Sequence, residues 1–252
     1  MNSRSVVSIA ILALLWELLA RYFIQLPALF PPLTEIVGNF ADYYFILALV
    51  NHYIKTLFRS TLGFIAGLLF GLITGLFMVI RKNMVDYVSP LATLMFSVPS
   101  VAWIPVLIVL IGINELTLPL VASFMCSYPP ILYGVINSFR VFDKDLLDIA
   151  NVYCTKKLTK YRYIVLPYIL TLLLPSIKTE AIMVWKTVFV VEMLALSNGL
   201  GYIALLYATS LKMSHLLAVI FVLSMTLLAI NSLIDTIEKR LTGLVSRGDA
   251  VE

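Results

Sequence analysis

Four ionisable residues sit within one long apolar run of this sequence: Lys178, Glu180, Lys186 and, at its far end, Glu192. A charge in an apolar environment is costly unless it is paired, hydrated or able to snorkel to a polar boundary. Lys178 and Glu180 are two residues apart, so they occupy different faces of a helix, and near its end snorkelling accounts for them. Lys186 is deeper. Either it pairs with an acid such as Glu17 or Glu192, or it lines a polar pathway that attracts anions. Eight residues separate Lys178 from Lys186, about 800° of helical rotation or 80° off alignment, so the two could flank one water-filled channel. Bond-making chemistry has poorer material. The two histidines, His52 and His215, have no Cys or Asp array beside them. Cys126 lies in an apolar run and Cys154 in a basic loop, which gives neither a disulfide framework nor a metal-ligand cluster. A Gly-rich loop ending in Lys-Ser/Thr is absent from the sequence, so any nucleotide hydrolysis belongs to another chain. The expectation is no catalytic residue, no metal and no cofactor on this chain.

The elements that must hold these residues are set by composition. Of 252 residues, 61% are hydrophobic and 13% charged, with a mean hydropathy of +0.99. Soluble domains are about 45–50% apolar and about 25% charged, and a soluble fold of this length leaves too much surface in water to hide the excess. Lipid tolerates it, and only where backbone polar groups are satisfied internally, as in helices. The net charge of +4 does not point to nucleic acid, because the basic residues sit in short loops between apolar runs.

A helix needs about 20 residues to cross the hydrocarbon. Six segments qualify: 5–23, 58–80, 88–111, 116–137, 163–191 and 214–236. The first follows Arg4 like a signal peptide, but lacks a small-residue cleavage site and is expected to remain as a span. The stretch from Pro31 to Asn51, with Glu35 and Asp42 among aromatics, is expected along the membrane interface. Of 18 Lys and Arg residues, twelve fall on the side of the amino terminus, including Arg81, Lys82, Arg140, Lys156, Lys157 and Lys160. Four fall on the other side, and Lys178 and Lys186 lie within the fifth span. Positive loops stay inside, so both termini are expected in the cytoplasm. With no internal repeat visible, residues 1–252 read as one all-α membrane domain.

Three features inside the spans are candidates for function. Gly63, Gly67, Gly71 and Gly75 form a stripe at four-residue spacing, suited to close helix approach. It serves packing within the subunit, or contact along a pathway or with a second subunit. The third span is interrupted by Pro90, Pro99 and Pro105, and freed carbonyls at membrane depth are tolerated only against protein or a water-filled cavity. The segment from Ser97 through Pro99, Ser100 and Trp103 to Pro105 is therefore a candidate pathway wall, or else a kink that shapes packing. A comparable break is expected at Pro129-Pro130. After the fifth span, the turn Asn198-Gly199-Leu200-Gly201-Tyr202 offers two glycines for positive φ, as a connector or as part of an outer gate.

The largest inward loop joins spans four and five. It opens with Asp143, Asp145 and Asp148 and ends in lysines, the order that suits a helix dipole. Leu146, Ile149, Ala150 and Tyr153 recur at i, i+3, i+4 and i+7, an apolar face that must be buried against headgroups, the protein's own span ends or a soluble partner.

At this loop the chain resembles a known family. Asp148-x-Ala150, followed by Cys154 and then Ile164-Val165-Leu166-Pro167, is similar to the "EAA" loop of binding-protein-dependent ABC importer permeases. Asp stands where Glu is usual and Cys154 where Gly is usual. Leu29-Phe30-Pro31-Pro32-Leu33-Thr34-Glu35, Thr61-Leu62-Gly63-Phe64, Val98-Pro99 with Trp103-Ile104-Pro105, Trp185 with Glu192-Met193-Leu194, and Gly199-Leu200-Gly201-Tyr202 look like the nitrate/sulfonate/taurine branch. Thr171 replaces a frequent proline and Lys178 a frequent Arg; Lys keeps the charge without the planar fork.

The resemblance implies a type I, MetI-like permease fold, a homodimer, two copies of a cytoplasmic ATPase carrying ATP and Mg²⁺, and an external solute-binding protein, in a bacterial or archaeal cell membrane. It implies that residues 143–155 form a coupling helix, with Asp145, Leu146, Asp148, Ile149, Ala150, Tyr153, Cys154, Leu166 and Pro167 as its ATPase-facing elements. Ser97, Pro99, Ser100, Trp103, Lys178, Trp185, Lys186 and Glu192 are the pathway candidates, and Gly199 and Gly201 the outer turn. The competing reading is a secondary transporter driven by ion gradients, with Glu17, Glu180 and Glu192 as its intramembrane carboxylate relay; the amphipathic loop speaks against it.

Overall fold

Long apolar runs with few breakers give long helices. The computed structural model describes residues 3–24, 26, 28–81, 83–141 and 166–248, and among these no strand occurs. In chain order the helices are α1 (Ser3–Leu18, continued by a π-helical turn at Leu19–Ile24), α2 (Leu33–Gly38), α3 (Tyr43–Ile80), α4 (Met84–Ser97), α5 (Ile104–Ile111), α6 (Thr117–Val141), α7 (Leu166–Ala195), α8 (Leu200–Thr209) and α9 (Met213–Gly248). Four are long and apolar enough to cross a membrane by themselves: Val7–Ile24, Tyr43–Val79, Thr117–Val141 and Met213–Arg240. Two more crossings arise if each bent pair is one span. Met84–Ser97 and Ser100–Ile111 meet at 97°, Ile169–Ala195 and Leu200–Thr209 at 51°. Large side chains such as Phe23 (78% exposed) and Val109 (85%) point outward, a surface that water would not tolerate at this density.

Contacts group the chain into two compact units, Met1–Phe58 with Phe189–Thr226, and Arg59–Val188 with Leu227–Glu252. In the first, α2, the start of α3, α8 and the start of α9 share a core of Ile36, Phe45, Leu49, Leu200, Ile203 and Val219. The end of α1 is tied to the segment before α2: Trp16 Nε1 donates to the Pro31 carbonyl at 3.1 Å and its ring stacks on Phe30. Glu17 and Arg21, which interrupt the first apolar run, form an ion pair at 2.6 Å and both bond the Thr34 hydroxyl. The sequence reading placed 31–51 along an interface. Within it, the residues from Tyr43 onward belong to the same helix as the second span, with Phe45 and Leu49 buried in this core.

In the second unit the glycine stripe has a clear partner. Gly63, Gly67, Gly71 and Gly75 lie against Ser123, Ser127, Ile131 and Val135 of α6, one step of four residues for each step of four. A Cβ built on Gly67 would lie 1.8 Å from Ser127 Oγ, and one on Gly75 2.7 Å from Val135 Cβ. The stripe therefore serves packing within the subunit. The serine hydroxyls bond their own helix, Ser127 to the Ser123 carbonyl at 3.0 Å and Ser123 to that of Pro119, so close approach orphans neither hydroxyl. This packing also explains a departure from expectation: α6 runs unbroken through Pro129 and Pro130. Proline removes a helix rung but need not break the helix where protein packs against the weakened turn. Pro129 and Ile131 are buried there. The expected break in span three is present, with Val98 extended, Pro99 at the head of a short 3₁₀ turn (Ser100–Trp103) and Pro105 in the first turn of α5, where its missing N–H has no cost.

Candidate functional site

Two side-chain constellations stand out, one in each unit. In the first unit, α7 ends at Ala195 and α8 starts at Leu200, with Gly199 between them at φ 106°. The opening N–H groups of a helix have no partner within it. Here three of them find one on a side chain: Gly199 N donates to His52 Nδ1 (2.9 Å), Leu200 N to Thr56 Oγ1 (2.8 Å) and Gly201 N to Glu192 Oε2 (3.1 Å). The Thr56 hydroxyl then donates to the same Glu192 oxygen at 2.8 Å. Glu192 and Thr56 are both fully buried, and a carboxylate at a helix N-terminus complements the dipole. Because His52 Nδ1 accepts, its proton resides on Nε2.

The two glycines of the turn have different reasons. Gly199 takes positive φ, and a Cβ on it would meet Glu192 Cδ at 2.1 Å; Gly201 is helical, but its Cβ would meet the Phe189 carbonyl oxygen at 1.9 Å. Only the first uses the freedom in φ that the sequence reading gave both. His52 and Thr56 lie in the part of α3 that precedes the second span as the sequence bounds it, 58–80. Their four-residue spacing would place them on one helix face.

In the second unit the broken span faces α6 and α7 across a cavity of about 170 Å³ lined by, among others, Phe96, Pro99, Ser100, Cys126, Pro130 and Glu180. Ser100 Oγ lies 3.0 Å from Thr187 Oγ1, and the Thr187 hydroxyl reaches Cys126 Sγ at 3.4 Å. Glu180 is 8% exposed. Among the described residues it has neither an ion pair nor a hydrogen bond, so its carboxylate faces the cavity without a protein partner.

Of the other pathway candidates, Ser97 bonds back to the Thr93 carbonyl at 2.7 Å. Trp103 Nε1 is buried with no partner among the described residues. Trp185 is buried. Lys178 does not simply snorkel, since its ammonium pairs with Asp235 of α9, which Asn231 also contacts. Lys186 is exposed and forms no ion pair among the described residues. The acids expected to pair with it are engaged elsewhere, Glu17 with Arg21 and Thr34 and Glu192 at the head of α8. Arg59, one of the four basic residues assigned to the outer side, is a buried residue of α3 paired with Glu115 at 3.6 Å. Asp145, Leu146, Asp148, Ile149, Ala150, Tyr153 and Cys154 lie outside the described residues. Leu166 and Pro167 open α7.

Residues 67–243 match the family described as the binding-protein-dependent transport system inner membrane component. The chain belongs to this family. It is an ABC permease, and several of its curated relatives are named for sulfonate or taurine transport. The aliphatic sulfonates transport permease protein SsuC of Bacillus subtilis, a putative assignment in its own name, is 24% identical over 193 residues, 77% of this chain and 70% of the relative. The taurine transport system permease protein TauC of Escherichia coli is 22% identical over 247 residues, 94% and 88% of the two chains. Among solved structures, the MetNI methionine ABC transporter in an inward-facing conformation superposes with a TM-score of 0.66 at 19% identity, covering 79% of this permease and 99% of that chain. An amino acid ABC transporter solved with histidines gives 0.65 at 16%, covering 78% and 95%. At these identities the structures establish the fold, that of the MetI-type ABC permeases.

Proposed function

We propose that this permease forms the solute pathway of an ATP-driven importer and is coupled to a separate ATPase through residues 143–155. The observation that carries this reading is the family match, which runs through the loop between α6 and α7. That loop combines acids at its start, lysines at its end and an apolar face of Leu146, Ile149, Ala150 and Tyr153. Such a segment can seat in a groove and keep register by charge. The complex is a permease homodimer with two ATPases, which hold the ATP and Mg²⁺, and an external solute-binding protein that delivers the solute. Closure of the ATPases draws the coupling segments together and tilts the spans that carry Ser97 to Trp103, Trp185, Lys186 and Glu192. This chain contributes no catalytic group. Both termini lie in the cytoplasm of a bacterium or archaeon, as the distribution of Lys and Arg requires.

The solute is a small polar molecule. The names of the SsuC and TauC relatives favour a sulfonate or an aminosulfonate of the taurine kind, and Lys186, exposed without a counter-ion among the described residues, suits an anionic group.

Asp148→Lys or Ala150→Glu tests the coupling. Each is expected to leave the permease in the membrane, to reduce co-purification of the ATPase at least about tenfold, the cost of one lost docking contact, and to abolish uptake. Undiminished uptake in both variants would refute it.

A further inference from the structure

Glu180 is the feature of this fold that the import reading does not use. It lies on α7 with 8% of its surface exposed, beside a cavity of about 170 Å³. A carboxylate on so largely buried a side chain is expected to carry a counter-charge or several hydrogen bonds, and among the described residues Glu180 has neither, its opening being the cavity. The basic residues of its own helix are turned away: Lys178 is two residues off and already paired with Asp235, and Lys186 is six residues off, about 120° around the helix. Soft, polarizable residues make up much of the rest of the cavity wall, Met95, Met125, Met183 and Phe96, beside Val98, Pro99, Ser100, Cys126 and Pro130. Such a lining favours a cation or an N–H-rich heterocycle over a compact, strongly hydrated anion.

We propose that the Glu180 cavity is a binding station for the positively charged or N–H-donating end of the solute, a primary ammonium or an amino-substituted heterocycle. The inference rests on the import reading and narrows it: a solute with no donor nitrogen, such as a simple inorganic anion or an unsubstituted alkanesulfonate, leaves this carboxylate unmatched.

The cavity contains its own reporter, since Cys126 lines it with Glu180. The purified permease, in lipid nanodiscs, is treated with the cationic aminoethyl-methanethiosulfonate or the anionic sulfonatoethyl-methanethiosulfonate, and modification of the Cys126 peptide is followed by mass spectrometry. Relative to their rates on a free thiol, the cation is expected to react at least about tenfold faster than the anion, the size of effect a single nearby charge exerts at intermediate dielectric. Glu180→Gln should remove that preference and Glu180→Asp should keep it. Benzylammonium, added as a probe, should slow modification of Cys126 in the unsubstituted protein, and benzenesulfonate at the same concentration should not. Equal reactivity of the two reagents in the unsubstituted protein, or equal protection by the two probes, would overturn the proposal. If Glu180→Gln yields no folded protein, the reagent and probe comparisons on the unsubstituted chain still decide. Labelling needs neither ATPase nor uptake. A failure here therefore leaves the import reading standing, whereas a normal cation preference with no ATP-dependent uptake would count against the import reading alone.

Discussion

Glu192 shows how much one buried side chain can organise. Its carboxylate holds the Gly201 N–H and the Thr56 hydroxyl, and its volume is what excludes a side chain from Gly199. Gly199→Ala should therefore be among the most damaging single changes in the chain. It combines positive φ with a 2.1 Å approach to Glu192 Cδ, together at least about 3 kcal/mol. Glu192→Gln keeps an acceptor oxygen and the shape, and should cost about 1 kcal/mol. Apparent melting temperatures of the detergent-solubilised protein check the ordering; a Gly199→Ala protein as stable as Glu192→Gln would contradict it. The sequence made Glu192 legible as an unusual charge and Gly199 as a turn glycine. It did not reveal that they touch the same few atoms as His52 and Thr56. Those partners are more than a hundred residues away, and local periodicity says nothing about such pairs. Glu180 and Lys186 divide in the same way: both are visible as charges in an apolar run, while the absence of a partner for either among the described residues is a property of the fold alone.

At the scale of the element, the apolar runs translate directly into helices because lipid leaves the backbone no other way to satisfy its polar groups. The errors fall where a polar residue was read as a sign of water. Asn51, His52 and Lys55 fall before the second span as the sequence bounds it, yet α3 passes through all three, and His52 is used to cap α8. Pro129-Pro130 suggested a break that packing against the glycine face of α3 suppresses. The glycine stripe was recognisable as a packing face, but its partner was not, because Ser123, Ser127, Ile131 and Val135 share no composition that marks them. This pairing is directly testable. Gly67→Ala should destabilise by about 1–3 kcal/mol, as overpacking does, and Ser127→Gly in the same chain should restore a part of the loss, because it removes the atoms that the new methyl meets. Losses that simply add in the double variant would mean that the two helices do not meet there.

For the whole molecule, family membership makes this chain the permease component of a binding-protein-dependent transport system, and the proposed import reading assigns selection and energy to other chains. That reading puts the loop between α6 and α7 in the cytoplasm, and Cys154 reports on it. A membrane-impermeant maleimide should label Cys154 in inverted vesicles and leave it unmodified in intact cells; the reverse pattern would invert the assigned orientation. The amphipathic pattern of the loop was legible because an i, i+3, i+4, i+7 repeat is a local signal. What that face touches is a property of the assembly and follows from no single chain.

The most direct test of the account is to place a photocrosslinking residue, p-benzoylphenylalanine, at Ala150 and irradiate intact cells that contain the complete transporter. The account predicts one dominant adduct, between the permease and its ATPase. A loop that forms no adduct with another protein, or only one with the external binding protein, would contradict it.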